Sequence, residues 1–330
     1  MSRKLVITDC EHVDYEQEKA VCAANGFEFV KYDLKTEAEA VEALQGVPVV
    51  GNQYLRFTES LMKRLPDLRC IVRYGMGVDN IDLDAATRLG IAVCNVPDYG
   101  IKEVAAHAFA MMMTLTRKLK IMDKSMTRGE WDYEKSIPIT RYEDMTVGVF
   151  GYGRIGRVFT SYAHALGCKI FAYDYLFPPE LSAEEREKYS IPDYVQLVTA
   201  DRLFSECHVI SLHMPLSKEN SGCVKKAQLE KMRPDAVLIN VSRGGLVDEA
   251  DLYEALKAGK LGGAACDTWQ KEPVAKDNPL LTLDNFIATP HMAWYSEQAS
   301  ADLKRKLAEE CIRALKGEPV KYQINRSVVL

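Results

Sequence analysis

Val147-Gly148-Val149-Phe150-Gly151-Tyr152-Gly153-Arg154-Ile155-Gly156 is the stretch on which the reading of this 330-residue chain turns. An apolar strand runs straight into G-x-G-x-x-G, and a helix-compatible segment follows. Gly151 permits the tight turn, Gly153 lets the backbone approach a pyrophosphate, and Gly156 lets helix and strand pack closely. Free amides at the start of that helix then favour phosphate. Eighteen residues beyond Gly156, Asp174 closes the next apolar run in Ala172-Tyr173-Asp174. A carboxylate there accepts the adenosine ribose hydroxyls and repels a 2′-phosphate, so the predicted cofactor is NAD rather than NADP.

Working outward from the loop, strand-like runs and helix-like segments alternate on both sides of it. Thr146 to Phe150, Lys169 to Tyr173, His208 to Leu212, Ala236 to Val241, Gly263 to Asp267 and Phe286 to Ala288 make six strands of a doubly wound nucleotide fold. Upstream, Lys4 to Thr8, Phe27 to Tyr32, Pro48 to Gly51, Cys70 to Tyr74 and Ile91 to Asn95 make a smaller parallel sheet. A long helix is expected over Lys102 to Lys118, an irregular polar segment over Thr127 to Glu143, and an amphipathic helix over Ser296 to Leu315. The last of these runs back to the first domain. The expected class is α/β with two doubly wound parallel-sheet domains. A flavodoxin-like substrate domain is discontinuous over residues 1–101 plus 296–330, and a Rossmann NAD-binding domain covers 102–295.

Composition narrows the function. With 42 Lys and Arg against 47 Asp and Glu, the formal charge is −5, which gives no basic field for nucleic acid or anionic lipid. The longest mainly apolar run, Val104 to Leu115, is interrupted by His107 and is too short for a bilayer. The amino terminus lacks the apolar core of a signal peptide, so a cytoplasmic location is expected. Nine cysteines without a C-x-x-C pair read as reduced thiols, with neither a disulfide framework nor a metal site.

Three segments follow strand candidates on the side where open α/β sheets bind ligands: Asn240-Val241-Ser242-Arg243-Gly244-Gly245, Cys266 to Pro273, and Thr289-Pro290-His291. They bring an Arg, a carboxylate and a His to one edge. Reduction of a 2-oxo acid needs a cation on the carboxylate and ketone, which suits the planar fork of Arg243. It also needs an acid for the forming alkoxide, which suits His291. Glu272, bonded to the second ring nitrogen, would fix the imidazole.

These motifs resemble the D-2-hydroxyacid dehydrogenase family along nearly the whole chain. The likeness runs through Gly151 to Gly156, Asn240 to Asp248, Thr289-Pro290-His291, Gly75-Met76-Gly77-Val78-Asp79-Asn80-Ile81-Asp82 and Asn95-Val96-Pro97. The resemblance implies that Arg243, Glu272 and His291 are the catalytic set and that the amides of Met76 and Gly77 hold the substrate carboxylate. It implies that Asp267 binds the nicotinamide carboxamide, that Arg154 and Ile155 meet the pyrophosphate, and that His213 and Pro215 line the dinucleotide site.

Val72-Arg73 and Ala293 to Ser300 are similar to the C-terminal-binding protein branch. That likeness implies that Arg73 and Trp294 face the substrate, and an indole there favours an apolar, aromatic or methylthio side chain on the 2-oxo acid. Ala106 departs from the acidic residue of many relatives, and Gln53 and Tyr54 match no firm pattern. The function implied is NAD-dependent reduction of 2-oxo acids to (R)-2-hydroxy acids by a homodimer. The alternative is an NAD(H)-sensing protein-interaction module of the C-terminal-binding type.

Overall fold

The computed structural model describes residues 3–329. The chain divides into two compact units, one running to Gly100 and resuming at Ser296, the other spanning Ile101–Tyr295. The break falls one residue before the sequence boundary because the helix Ile101–Thr116 already begins there.

In the first unit five strands, β1 (Lys4–Ile7), β2 (Glu28–Lys31), β3 (Val49–Asn52), β4 (Cys70–Arg73) and β5 (Ala92–Cys94), lie in the order β2-β1-β3-β4-β5, all parallel. This is the flavodoxin-like order, with its switch point between β1 and β3. Burial follows position in the sheet: β3 is buried at every residue, whereas the edge strand β2 is only half-buried at its two inner residues. The helix Glu297–Lys316 turns Leu303, Leu307 and Cys311 onto this sheet, which is why a segment so far along the chain belongs to the first unit.

The second unit holds β6 (Thr146–Phe150), β7 (Lys169–Tyr173), β8 (Val195–Leu197), β9 (Val209–Leu212), β10 (Val237–Asn240), β11 (Gly263–Cys266) and β12 (Phe286–Ala288), ordered β12-β11-β10-β9-β6-β7-β8. This is the Rossmann order extended by one strand, with the switch point between β6 and β9. Two apolar clusters cover its faces, one around Val149, Phe159 and Met112, the other around Ile210, Leu246 and Trp269. The register aligns the strand ends: Phe150 pairs with Leu212, Leu212 with Asn240, Asn240 with Cys266, and Cys266 with Ala288. The next residues, Gly151, His213, Val241, Asp267 and Thr289, therefore leave the sheet along one edge.

Two features differ from the sequence expectation. The sheet has seven strands rather than six, since Val195–Leu197 adds a three-residue edge strand. The expected helix over Lys102 to Lys118 stops at Thr116, and a second helix, Leu119–Thr127, starts after Lys118, whose φ of 57° is left-handed. The polar segment beyond it contains two short 3-10 turns, Tyr133–Ser136 and Tyr142–Asp144. All nine cysteines are free thiols. Among the described residues, no helix is long and apolar enough to cross a membrane.

Candidate active site

The phosphate loop is built as its glycines require. Gly151 sits at φ +103°, and a Cβ on it would lie 2.7 Å from the His213 carbonyl carbon and 2.8 Å from its oxygen, so backbone sterics exclude any side chain. Over Gly153 the space is open, with nothing within 4 Å of an added Cβ. Gly153 caps the helix Arg154–Ala165 without any side-chain hydrogen bond, and Arg154 beside it is exposed. A helix start with no side-chain cap and open space over Gly153 makes a cradle for an anion. Ile155 points the other way, packed against the core.

Asp174 braces this loop. Its Oδ2 accepts the Tyr152 amide at 2.8 Å and its Oδ1 the Leu176 amide at 3.0 Å. Across the switch point, the His213 ring lies 5.2 Å from Phe159 and bonds Ser211 Oγ at 2.8 Å through Nε2, while its buried Nδ1 has no partner. Burial pushes this imidazole down to about 3, so it is neutral at physiological pH. Pro215 is exposed, and its carbonyl anchors Asn220. The open cradle, the braced carboxylate and the orphaned ring nitrogen fit a dinucleotide.

At the other ends of the sheet edge, Glu272 and His291 meet. His291 Nδ1 lies 2.7 Å from Glu272 Oε2, and the second carboxylate oxygen accepts the Trp269 amide at 3.0 Å. Burial works against the Glu272 charge, but the His291 bond and charge, the Trp269 amide and the Arg243 guanidinium outweigh it and hold the carboxyl below its ordinary value. The pair therefore carries an ionised carboxylate that fixes the ring and leaves Nε2 for a substrate.

Arg243 is brought towards Glu272 by close backbone contact between their loops. A Cβ on Gly244 would come 1.9 Å from the Trp269 carbonyl carbon, so only glycine lets the two segments touch. Arg243 Nη1 donates to the Ser242 carbonyl at 2.8 Å, and Asn240 Nδ2 donates to the carbonyl of Arg243 at 2.9 Å, which holds the loop after β10. Trp294, partly buried, packs against the apolar cluster around Val149.

Asp267 is 1% exposed, and both its oxygens serve the turn that carries His291. Oδ1 accepts the Thr289 hydroxyl at 2.6 Å and the Met292 amide at 2.9 Å, and Oδ2 the Ala293 amide at 3.0 Å. Sequence reading singled out Asp267 as a cofactor contact and missed this internal role. The carboxylate's partners lie 22 to 26 residues away, and no local pattern announces them.

Arg73, Met76 and Gly77 belong to the first unit. The Gly75 backbone there lies against the Arg73 guanidinium, with Arg73 Nη1 2.0 Å from where a Gly75 Cβ would stand. The Gly75 carbonyl accepts the Val96 amide at 3.0 Å and the Met76 carbonyl accepts Asn95 Nδ2 at 2.7 Å, so the loop is pinned on one side.

A profile described as the D-isomer specific 2-hydroxyacid dehydrogenase NAD-binding domain matches residues 109–293. The D-3-phosphoglycerate dehydrogenase of Archaeoglobus fulgidus is 37% identical over 96% of this chain, which spans only 57% of that protein. The glycerate dehydrogenase of Methylorubrum extorquens is 34% identical, with 97% of this chain matching 98% of that one. Among solved structures, D-lactate dehydrogenase of Aquifex aeolicus, complexed with NAD and lactic acid, superposes with a TM-score of 0.82 at 26% identity, covering 95% of this chain and 96% of that one. The chain spans a little over half the length of several phosphoglycerate dehydrogenases it matches. The chain belongs to the D-isomer specific 2-hydroxyacid dehydrogenase family and carries that family's NAD-binding domain.

Proposed function

We propose that the protein reduces 2-oxo acids to (R)-2-hydroxy acids with NADH. The observation that carries this reading is the 2.7 Å pairing of Glu272 with His291 on the sheet edge that also holds the glycine cradle. The nicotinamide, when bound, supplies the hydride. Arg154 and Ile155 at the helix start would hold the pyrophosphate, Asp174 the ribose, and His213, Pro215 and Asp267 the remainder. Asp174 favours NAD over NADP because a 2′-phosphate would face its charge.

Arg243 binds the oxo acid through its planar fork and stabilises negative charge on the ketone oxygen. His291 donates its Nε2 proton to that oxygen as hydride reaches the carbon, and Glu272 holds the resulting neutral ring in place. In the first unit, the amides of Met76 and Gly77, with Arg73, take the substrate carboxylate.

Two readings of the substrate side chain compete. Trp294 supports an apolar, aromatic or methylthio group, but its packing into the core leaves less of the indole for a ligand. The relatives named phosphoglycerate dehydrogenase, glycerate dehydrogenase and hydroxypyruvate reductase favour a small oxygenated one. A homodimer suits the second unit, where Trp131 (89% exposed), Tyr133 (75%) and Ile137 (63%) crowd one segment. Light scattering reads two chains per particle if so, and a single-chain mass removes the dimer.

NADH oxidation with glyoxylate, hydroxypyruvate, phenylpyruvate and 4-methylthio-2-oxobutanoate decides both activity and side-chain class. His291→Ala lowers kcat by about 10³-fold, and Arg243→Ala lowers kcat/KM by about 10² to 10³-fold. Equal rates in wild type and both variants overturn the assigned roles. Cofactor binding without turnover of any oxo acid favours a sensing module instead.

A further inference from the structure

The turn that carries His291 is strained and deliberately held. His291 has φ 53°, a left-handed conformation that costs a residue with a Cβ. Its own amide donates to the Asp267 carbonyl at 2.8 Å, and the Thr289 amide donates to the Cys266 carbonyl at 3.1 Å. The Asp267 carboxylate then clamps residues on both sides of His291, through the Thr289 hydroxyl before it and the Met292 and Ala293 amides after it. Trp269 ties the same turn to the acid's partner: its indole donates to the Thr289 carbonyl at 3.1 Å while its amide donates to Glu272.

One side chain from outside this loop cluster enters the clamp. His107, on the helix Ile101–Thr116, places Nε2 3.1 Å from Thr289 Oγ1 and 3.8 Å from Asp267 Oδ1. The available protons fix the direction of this bond. The Thr289 hydroxyl has one proton, and at 2.6 Å from a carboxylate oxygen that also accepts the Met292 amide that proton goes to Asp267. Two lone pairs would otherwise face each other at that distance. His107 Nε2 must therefore carry a proton and donate it to the hydroxyl oxygen, which orients the hydroxyl towards Asp267.

We propose that His107 is a positioning residue for the proton donor, acting through Thr289 and Asp267 on the His291 turn. This rests on the dehydrogenase reading for its consequence and on the hydrogen-bond geometry for its existence. Without the His107 donor the Thr289 oxygen loses its tie to the helix Ile101–Thr116 and is held by Asp267 alone, so the turn loosens and His291 relaxes away from Glu272. His107 touches neither substrate nor cofactor by this reading, and Asp267 stays anchored by the Met292 and Ala293 amides, so the effect falls on the proton-transfer step and spares binding.

The test compares His107→Phe, which keeps a flat ring and removes the donor, with His107→Gln, whose amide can restore it. Thr289→Val and Thr289→Ser form a second pair that removes and keeps the hydroxyl. His107→Phe and Thr289→Val should each lower kcat about 10-fold while KM for the oxo acid and the NADH affinity change by less than about two-fold. The Gln and Ser variants should return most of the rate. Independently of turnover, carbon-13 NMR of Glu-labelled, cofactor-free protein, assigned with Glu272→Gln, should show Glu272 titrating higher in His107→Phe than in wild type, as its imidazole partner loosens. The proposal is overturned if kcat and the Glu272 titration stay put in both Phe and Val variants, or if Gln and Ser fail to rescue while melting temperatures are unchanged. A wild-type protein inert toward every oxo acid would break the dehydrogenase reading alone, and the Glu272 titration would still decide the role of His107.

Discussion

The two units share an architecture and differ in the loop after their first strand. In the second, β6 runs through a glycine turn directly into a helix that has no side-chain cap and open space over Gly153. In the first, β1 is followed by Thr8-Asp9-Cys10 and a longer connection before the helix Glu16–Asn25. Asp9, 4% exposed, spends its carboxylate on the next strand's loop, accepting the amides of Gln53 at 3.3 Å, Tyr54 at 2.6 Å and Leu55 at 3.2 Å. Thr8 Oγ1 and Asn52 Nδ2 also donate to it, at 2.7 and 3.1 Å. One switch point thus leaves space for an incoming anion, while the other has a carboxylate of its own. The parallel sheet supplies the edge in both cases, and the loop decides whether that edge binds a nucleotide.

A pair of substitutions should separate these roles. Asp9→Ala strands the amides of Gln53, Tyr54 and Leu55, while Thr8 Oγ1 keeps the Gly51 carbonyl and Asn52 Nδ2 the Leu55 carbonyl, and at roughly 1–3 kcal/mol for each unsatisfied group should cost the first unit about 3 kcal/mol or more. Hydrogen exchange should rise across β1 and β3, with little change in NADH affinity. Gly151→Ala should do the reverse. The φ of +103° and the collision with the His213 backbone displace the cradle, and NADH affinity should fall about 100-fold, equivalent to about 2.7 kcal/mol. Fluorescence titration reads that loss. If Asp9→Ala weakens NADH binding as strongly as Gly151→Ala does, the division of labour is wrong.

The strands were readable where β-branched and apolar residues run together, as in Lys169–Tyr173, which the sequence reading bounds as the structure does. Val195–Leu197 escaped because three residues with an exposed Gln196 in the middle carry no periodicity. The helix break at Lys118 has neither Pro nor Gly to announce it. In the site, Gly151 stood out as the glycine of a tight turn, and the structure adds its approach to His213; Gly244 was legible only as part of a segment, since its approach to Trp269 is a long-range contact. Asp9 left no such trace: it is one of 47 acidic residues, and the amides that define it are 44 to 46 positions away. His107 was visible only as an interruption in an apolar run, since its meaning depends on Thr289, 182 residues further on.

The smallest expected difference between the units is in their response to acid. In the second, burial depresses His213 to about 3, below its ordinary 6.5. The stability this neutral ring contributes is complete above pH 6.5 and is lost as pH falls towards 3, because the unfolded chain takes up the proton first. In the first unit His12 behaves alike, depressed to about 4 by burial and then by Lys304. There, however, a fully buried Glu18, bonded to the Tyr74 hydroxyl at 2.7 Å, is raised by burial. Its contribution has the opposite sign: it is full below the ordinary value of 4.5 and lost as pH rises through the raised one, so acidification recovers it. Between pH 6.5 and 4.5 the second unit should therefore weaken steadily while the first changes less. All three tryptophans, Trp131, Trp269 and Trp294, lie in the second unit, so their fluorescence in urea follows that unit alone, and hydrogen exchange follows the first. Glu18→Gln removes the offset and should make the first unit lose stability on acidification as steeply as the second. If the wild-type first unit already shows that steep loss, the buried carboxyl does not compensate for His12.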